Sequence, residues 1–335
     1  MTGGSTNSGL AKARAKNALA AAGLDPDVPL VRANSVTNEV WLSADVAIRV
    51  NRRLDQRLRR EAELAPLLPA EVGYPEVVHY GEGTGFDFLV QRRRPGIVLA
   101  RSWPSMSPSQ RRLAVRQLTY MLRELHSTPC PPELLAPDHA PQLLAPTPGT
   151  RCVAPLLDAL KRAENLAHVD TELLATLTTY VKATADVLEP FVTETFIHGD
   201  LTFENVLWDG EQVTALIDFE WARGAPSDLE LDVLLRFCAY PFLHVAPDYA
   251  KATVAPDYED VPFWIREDYP QLFAADRMLD RTRLYSIAFD VRELLVMPPD
   301  RPIRELSQHH PLRRLERTIS QRSHLDRFAY PDLHM

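Results

Sequence analysis

Between Leu30 and Val50 apolar and polar positions alternate: Val36, Val40 and Leu42, then Val46, Ile48 and Val50. A period of two predicts a pair of half-buried strands, turned at Ser43-Ala44-Asp45. The period then lengthens. Leu54, Leu58, Ala62, Ala65 and Leu68 fall at helical spacing and predict a helix over 54–68. Two more strands are expected at Val77–Tyr80 and Phe86–Val90, around a turn between Gly81 and Gly85. Upstream, residues 1–8 are polar and glycine-rich and are expected to be disordered. The alanine-rich stretch 9–22 predicts a short helix closed by Gly23.

Arg92-Arg93-Arg94-Pro95-Gly96 ends this region and is a candidate hinge. Helical spacing dominates beyond it. Leu113, Leu118, Met121, Leu122 and Leu125 share one face of a helix expected from Ser109 to Ser127, with Ser107-Pro108 as its start signal. Residues 129–149 are proline-rich and read as loop or linker. Helices are expected over 153–167 and 171–188, and again from about 228 onward. The order predicts an α+β chain with a small lobe, an antiparallel sheet plus helix, and a larger, mainly helical C-terminal lobe. The expected divisions are an N-terminal extension over 1–27, a first lobe over 28–94 and a second over 95–335.

A length of 335 residues suits such a two-lobed chain, and 45% hydrophobic with 24% charged residues is the balance of a packed soluble protein. Cys130, Cys152 and Cys238 are odd in number and widely spaced, so they read as thiols in a reducing compartment, not as a disulfide framework or zinc site. No apolar run approaches the length of a membrane span. Lys12, Arg14 and Lys16 are followed by no signal-peptide core. A cytoplasmic protein without a membrane partner is expected, as a monomer or dimer. The net charge of −8 argues against nucleic acid as a partner. It would suit a cationic substrate, although its commoner meaning is solubility.

Two stretches carry the chemistry: Phe196-Ile197-His198-Gly199-Asp200-Leu201-Thr202-Phe203-Glu204-Asn205-Val206-Leu207 and Leu216-Ile217-Asp218-Phe219-Glu220. Asp200 sits just past a strand-like run, where a carboxylate can be exposed yet rigidly held to take a hydroxyl proton. Asn205 offers a hard, neutral amide oxygen. Asp218 ends the apolar run Val213-Thr214-Ala215-Leu216-Ile217, where a carboxylate is costly unless paired or metal-bound. One carboxylate for the proton, with an amide and a second carboxylate for Mg²⁺, are what phosphoryl transfer from a nucleotide requires. His198 has no second histidine at ligand spacing and reads as a loop anchor.

His198-Gly199-Asp200 with Asn205, followed by Ile217-Asp218-Phe219, resembles the aminoglycoside phosphotransferase family of the protein-kinase-like fold, which also includes choline and homoserine kinases. The family pattern H-G-D-x-x-x-x-N and I-D-[FW] is complete here. Val46-Ala47-Ile48-Arg49-Val50, Arg60-Glu61-Ala62, Tyr74-Pro75-Glu76-Val77-Val78 and Leu125-His126 extend the resemblance over most of the chain. It implies that ATP or GTP binds with Mg²⁺, held by Arg49, Glu61, Asn205 and Asp218, with Ser35, Asn38 and Gln91 also on the nucleotide. It implies Asp200 as catalytic base and a buried aspartate bracing the loop, for which Asp232 fits best and Asp228 is also possible. Glu63 is an alternative to Glu61 by register.

Two features depart from the family. Arg49 stands where lysine is usual, and the nucleotide loop Asn34-Ser35-Val36-Thr37-Asn38-Glu39 contains no glycine. The thirteen residues between Asp218 and Asp232 leave no room for a protein-kinase activation segment, which excludes a protein acceptor. Candidate acceptor residues are Glu204, Glu220, Tyr240, Asp257, Asp260 and Trp264 in an acidic, aromatic stretch. The function these residues imply is phosphorylation of a small-molecule hydroxyl, with an antibiotic as the favoured acceptor. A primary-metabolite kinase acting on a sugar, homoserine or choline is the alternative. A nucleotide-binding pseudokinase is the reading of another class.

Overall fold

The computed structural model describes residues 4–35, 38–53, 55–131, 140–145 and 151–327. Val36 and Leu54, assigned above to a strand and a helix, lie outside these residues, as does most of the 129–149 stretch. In chain order the elements are α1 (Gly4–Ala21), β1 (Val31–Ala33), β2 (Glu39–Leu42), β3 (Val46–Asn51), α2 (Arg57–Leu64), β4 (Val77–Gly83), β5 (Phe86–Arg92) and β6 (Ile97–Val98). There follow α3 (Leu99–Ser102), α4 (Pro108–Ser127), α5 (Ala154–Ala163), α6 (Thr171–Thr184), β7 (Phe196–Ile197), β8 (Val206–Trp208), β9 (Val213–Leu216) and β10 (Arg223–Gly224). The last helices are α7 (Glu230–Ala239), α8 (Val261–Asp268), α9 (Met278–Val296) and α10 (Pro311–Ile319). Among the described residues no helix is long and apolar enough to cross a membrane. The three cysteines are buried and joined in no disulfide.

The chain forms two compact units. One comprises Met1–Thr128, Thr202–Ala222 and Tyr240–Trp264, the other Pro129–Leu201, Arg223–Ala239 and Ile265–Met335. The first unit is built on an antiparallel sheet of order β1-β2-β3-β5-β4. Strand β5 is buried on both faces from Phe86 to Gln91, so the sheet is covered on both sides there. Trp41, Val46, Ile48, Val50, Phe86, Phe88 and Val90 form one face and bury against Ala11, Ala15, Ala18 and Leu19 of α1. Alternation puts Ala47, Arg49 and Asn51 on the opposite face. Full burial of one such aliphatic side chain contributes about 1.5–3 kcal/mol. A second small sheet, β6-β8-β9, holds the hairpin that follows Asn205. Its turn is closed by Asp209, whose Oδ1 accepts the N–H groups of Glu211 and Gln212 at 2.9 Å each. Gly96 at the expected hinge has φ +104, and a Cβ there would lie 2.6 Å from the Trp208 carbonyl oxygen. Only glycine lets the chain enter β6 this close to β8.

The second unit has a helical core. Leu156 and Leu160 of α5, Leu177 and Val181 of α6, Leu284, Ile287 and Val291 of α9, and Leu312 and Leu315 of α10 pack in one buried cluster. The short pair β7 and β10 joins Ile197 to Arg223 and leads into the His198 loop.

Several boundaries differ from the pattern. Helix α1 begins at Gly4, within the stretch expected to be disordered. The sheet gains β1, whose Val31 and Arg32 are exposed and so show no alternation. Helix α2 starts at Arg57 after a left-handed Gln56 and gives way at Leu64 to a tighter turn holding Pro66, so it is shorter than 54–68. Strands β4 and β5 continue to Gly83 and from Phe86, leaving only Thr84-Gly85 as the turn. Helix α4 begins as read: Ser107 and Gln110 form a reciprocal capping box with Pro108 as first residue. Ala15→Asp tests the α1 contact, because it puts an unpaired charge at a fully buried site. A loss of about 3 kcal/mol or more in urea unfolding is expected, and an unchanged midpoint would show that α1 does not pack there.

Candidate active site

In the first unit β3 carries Arg49 into a buried cluster of carboxylates. Arg49 is 7% exposed. One guanidinium nitrogen donates to Glu61 Oε2 at 2.5 Å, and another donates to Asp218 Oδ1 and lies 3.6 Å from Glu220 Oε2. Glu61, on α2, also accepts the Tyr74 hydroxyl at 2.8 Å and the Phe219 N–H at 3.1 Å. Glu63 points elsewhere, to Arg59 at 2.9 Å, so Glu61 is the partner of Arg49. Arg57 donates to Glu220 at 2.6 Å and lies over the Trp221 ring. Arg60 donates to the carbonyls of Glu220 and Ala222. Helix α2 is thereby fastened to the segment that carries Asp218.

The electrostatics follow from this crowding. Burial works against the Arg49 charge, but Asp218, Glu61 and Glu220 outweigh it and hold the guanidinium well above its usual range. Burial, and then the Asp218 charge, push the Glu220 carboxyl up to about 8 against the pull of Arg49 and Arg57. Glu61 is raised as well, by burial first, with Arg49 opposing.

Asn205 and Asp218 are brought close by the β8–β9 hairpin. Val206 pairs with Leu216, and just beyond that pair the Ile217 N–H donates to the Asn205 carbonyl at 2.9 Å. Asp218 has φ +65, a left-handed conformation that costs a non-glycine residue energy and turns the chain sharply after the strand. Its side chain stays 24% exposed while one oxygen meets Arg49.

The second unit holds His198, Gly199 and Asp200. His198 is fully buried, and its Nδ1 accepts the Asp200 N–H at 3.3 Å, so the imidazole anchors the backbone of the loop. Gly199 has φ +82, and its N–H donates to Glu230 Oε1 at 2.8 Å. The direct brace of the loop is therefore Glu230. Asp232, expected in that role, accepts from Gln142 at 2.9 Å, and Gln142 accepts from Arg223 of β10 at 2.6 Å. Asp232 also meets Arg236, and Asp228 is engaged by Arg281 and Tyr285. Three acidic residues crowd Asp228–Asp232, and spacing alone does not rank Glu230 among them.

The other candidates scatter. Ser35 donates to the Asn38 carbonyl, which ties the loop to itself. Gln91 is buried on β5 opposite Ala47, and its Nε2 meets no acceptor among the described residues. Glu220 belongs to the Arg49 cluster, not to an open surface. Asp257 is held by Arg111 at 3.2 Å, and its carbonyl accepts from Trp103, which stacks on Tyr258. Glu204 accepts from the Ala246 N–H at 2.9 Å and from the Tyr249 hydroxyl, and burial pushes its carboxyl up to about 7. These contacts give Glu220, Asp257 and Glu204 partners within the fold, with Glu204 and Asp257 half-buried. Asp260 is exposed, and Tyr240 and Trp264 are half-buried.

The sequence profile of a phosphotransferase enzyme family matches residues 21–264. No curated protein matches the chain. Among solved structures the chain is similar to a thermostable mutant of aminoglycoside phosphotransferase APH(4)-Ia in ternary complex with ADP and hygromycin B. That likeness has 14% identity and a TM-score of 0.60, and it covers 94% of this chain and 99% of the other. It is also similar to wild-type aminoglycoside 2'-phosphotransferase-IIIa with GDP, at 18% identity and TM-score 0.58, covering 89% and 94%. A third similar structure is APH(3'')-Id from Streptomyces rimosus, at 21% identity and TM-score 0.51, covering 86% and 98%. At these identities the likeness establishes the fold.

The Glu230 carboxyl is pushed up to about 7 by burial, against the Gly199 N–H and Arg223, from an ordinary 4.5. Between those pH values the folded chain binds more protons than the unfolded one, so stability falls as pH rises through the window. Glu230→Gln keeps an acceptor oxygen and removes the titration. From pH 5 to 8 the wild type is expected to lose roughly 2–3 kcal/mol relative to the variant in urea unfolding. Parallel profiles would show that Glu230 is ionised throughout.

Proposed function

This chain belongs to the phosphotransferase enzyme family and is a kinase, and from that premise we propose that it transfers the γ-phosphate of ATP or GTP to a hydroxyl of a small antibiotic. The observation that carries the proposal is Arg49, held between Glu61 and Asp218 with Asn205 latched beside Asp218. A basic group fixed on a strand next to two oxygen ligands is suited to a polyphosphate and its metal. The ADP and hygromycin B of one similar structure and the GDP of another support a nucleotide donor and an antibiotic acceptor.

The residues fit a magnesium ion. Asn205 and Asp218 offer hard oxygens, and the partly exposed Asp218 side chain has a face beyond its contact with Arg49. When bound, Mg²⁺ supplies positive charge to the phosphate oxygens. Arg49 would grip the phosphates, and Glu61 would fix its direction. Asp200, half-buried and set by His198 and Gly199, would orient the acceptor hydroxyl. As the hydroxyl oxygen bonds to the γ-phosphorus, its proton passes to Asp200 and the bond to the bridging oxygen breaks, releasing ADP or GDP. Asp260 and Trp264 have side-chain surface to offer an acceptor.

The test is a phosphate-transfer screen with Mg·ATP and Mg·GTP over aminoglycosides, tuberactinomycin-type peptides, macrolides and nucleoside antibiotics, read by mass gain. Asp200→Ala should lower kcat by roughly 10²–10⁴-fold with nucleotide binding retained. Equal turnover by wild type and variant would leave a nucleotide-binding protein without this catalysis. Asp218→Ala should abolish Mg²⁺-dependent nucleotide binding in calorimetry, and unchanged affinity would remove Asp218 from the metal site.

A further inference from the structure

Glu204 is the middle residue of the tight turn Phe203–Asn205, which leads into β8. Its neighbours in the turn have separate tasks. Phe203 is fully buried, with its ring 4.9 Å from that of Trp103 and 5.6 Å from that of Tyr258. Asn205 is latched through its backbone: its N–H donates to the Thr202 carbonyl at 3.0 Å, and its carbonyl accepts the Ile217 N–H at 2.9 Å. The Glu204 carboxylate turns instead to the segment 245–249, which belongs to the same compact unit.

That segment holds the carboxylate at one atom. Glu204 Oε1 accepts both the Ala246 N–H, at 2.9 Å, and the Tyr249 hydroxyl. Val245 and Ala246 are buried, so the segment is itself anchored. Tyr249 is steered in turn by Arg101 of α3, whose guanidinium carbon lies 4.1 Å from the centre of the Tyr249 ring. The same guanidinium pairs Asp248 at 2.7 and 3.3 Å. Arg101 thus fixes the ring and the residue before it, and the ring carries its hydroxyl to Glu204. A single tight turn has few hydrogen bonds of its own to keep its shape. Tying down its middle side chain fixes the pitch of the turn, and with it the direction in which the next side chain, that of Asn205, leaves the backbone.

We propose that Tyr249 and Glu204 are positioning residues for the Asn205 amide: through Glu204, Tyr249 holds the turn in the geometry in which Asn205 and Asp218 together take a divalent cation. Magnesium demands near-ideal octahedral geometry, so a small displacement of one oxygen ligand weakens it out of proportion. Groups that orient a ligand are for that reason part of a metal site although they never touch the ion. The inference rests on the reading of Asn205 and Asp218 as the magnesium ligands. It gives Glu204, an acceptor candidate by sequence, an inward task.

ATP, with GTP in parallel, is the probe, titrated calorimetrically into the full chain in excess Mg²⁺ and again in EDTA. The quantity read is the ratio of the two affinities, the gain due to the metal. Tyr249→Phe and Glu204→Ala should each cut that gain by about tenfold, with the affinity in EDTA kept. Glu204→Gln retains an oxygen for the Tyr249 hydroxyl and the Ala246 N–H, and should restore most of the gain. A role confined to packing would instead weaken ATP equally in both buffers and leave the ratio as it was. The inference is overturned by that equal weakening, or if both variants keep the wild-type gain while Asp218→Ala loses it. A wild-type chain without any gain, or an Asp218→Ala chain that keeps it, overturns the magnesium reading and this inference with it.

Discussion

A buried guanidinium shared among three carboxylates is the constraint on which the packing of β3, α2 and the Asp218 segment depends. Burying Arg49 alone would cost several kcal/mol, and burying Glu61 alone would cost as much. Together they become tolerable, because each hydrogen bond is charge-assisted and short of water. The same requirement fixes geometry. Glu61 must be on α2 at the height of Arg49 on β3, so the helix cannot slide along the sheet. Tyr74 and the Phe219 N–H occupy the other Glu61 oxygen, which locks the carboxylate and brings the Asp218 segment to it.

The cluster is also deliberately unbalanced. Arg49 and Arg57 face Glu61, Asp218 and Glu220, leaving a carboxylate in excess. That excess, added to burial, is what drives the Glu220 carboxyl up to about 8. A divalent cation near Asp218 would lower the free energy of every ionised carboxylate in the group at once.

Much of this was legible in the sequence. Alternation marked β2, β3 and β5 because Trp41, Val46, Ile48, Val50, Phe86, Phe88 and Val90 share the face under α1; β5 is buried on both faces, so its period shows in residue type, with Asp87 and Gln91 between the apolar positions, and not in burial. The two motif stretches could be read because polar residues inside apolar runs are costly and so must have a use. Short β1 could not be read, since Val31 and Arg32 are exposed and carry no burial signal. Glu230 could not be ranked above Asp228 or Asp232, because which carboxylate reaches the Gly199 N–H is set by the pitch of α7 against the β7–β10 pair. The contacts of the acceptor-side carboxylates were not legible for a related reason. Glu204 and Asp257 look like free charges in sequence, yet in the fold each is consumed by a nearby hydroxyl, N–H or guanidinium.

The two departures from the family pattern acquire a common physical sense in the structure. Lysine offers one compact charge, whereas arginine presents separate N–H groups in a rigid fork. Arg49 uses that fork to bridge Glu61 and Asp218, so the substitution stiffens the link between β3, α2 and the Asp218 segment. The described flanks of the glycine-free loop are held as well: Ser35 donates to the Asn38 carbonyl, and Arg14 of α1 grips Glu39 with two hydrogen bonds. Helix α1 lies almost wholly before residue 21, where the family match begins. Contacts of this kind leave the described residues flanking the loop fewer conformations. A preset loop loses less conformational entropy when a nucleotide binds. Such contacts trade adaptability for order, and here they join the β1–β2 end of the sheet to a helix that lies outside the matched region.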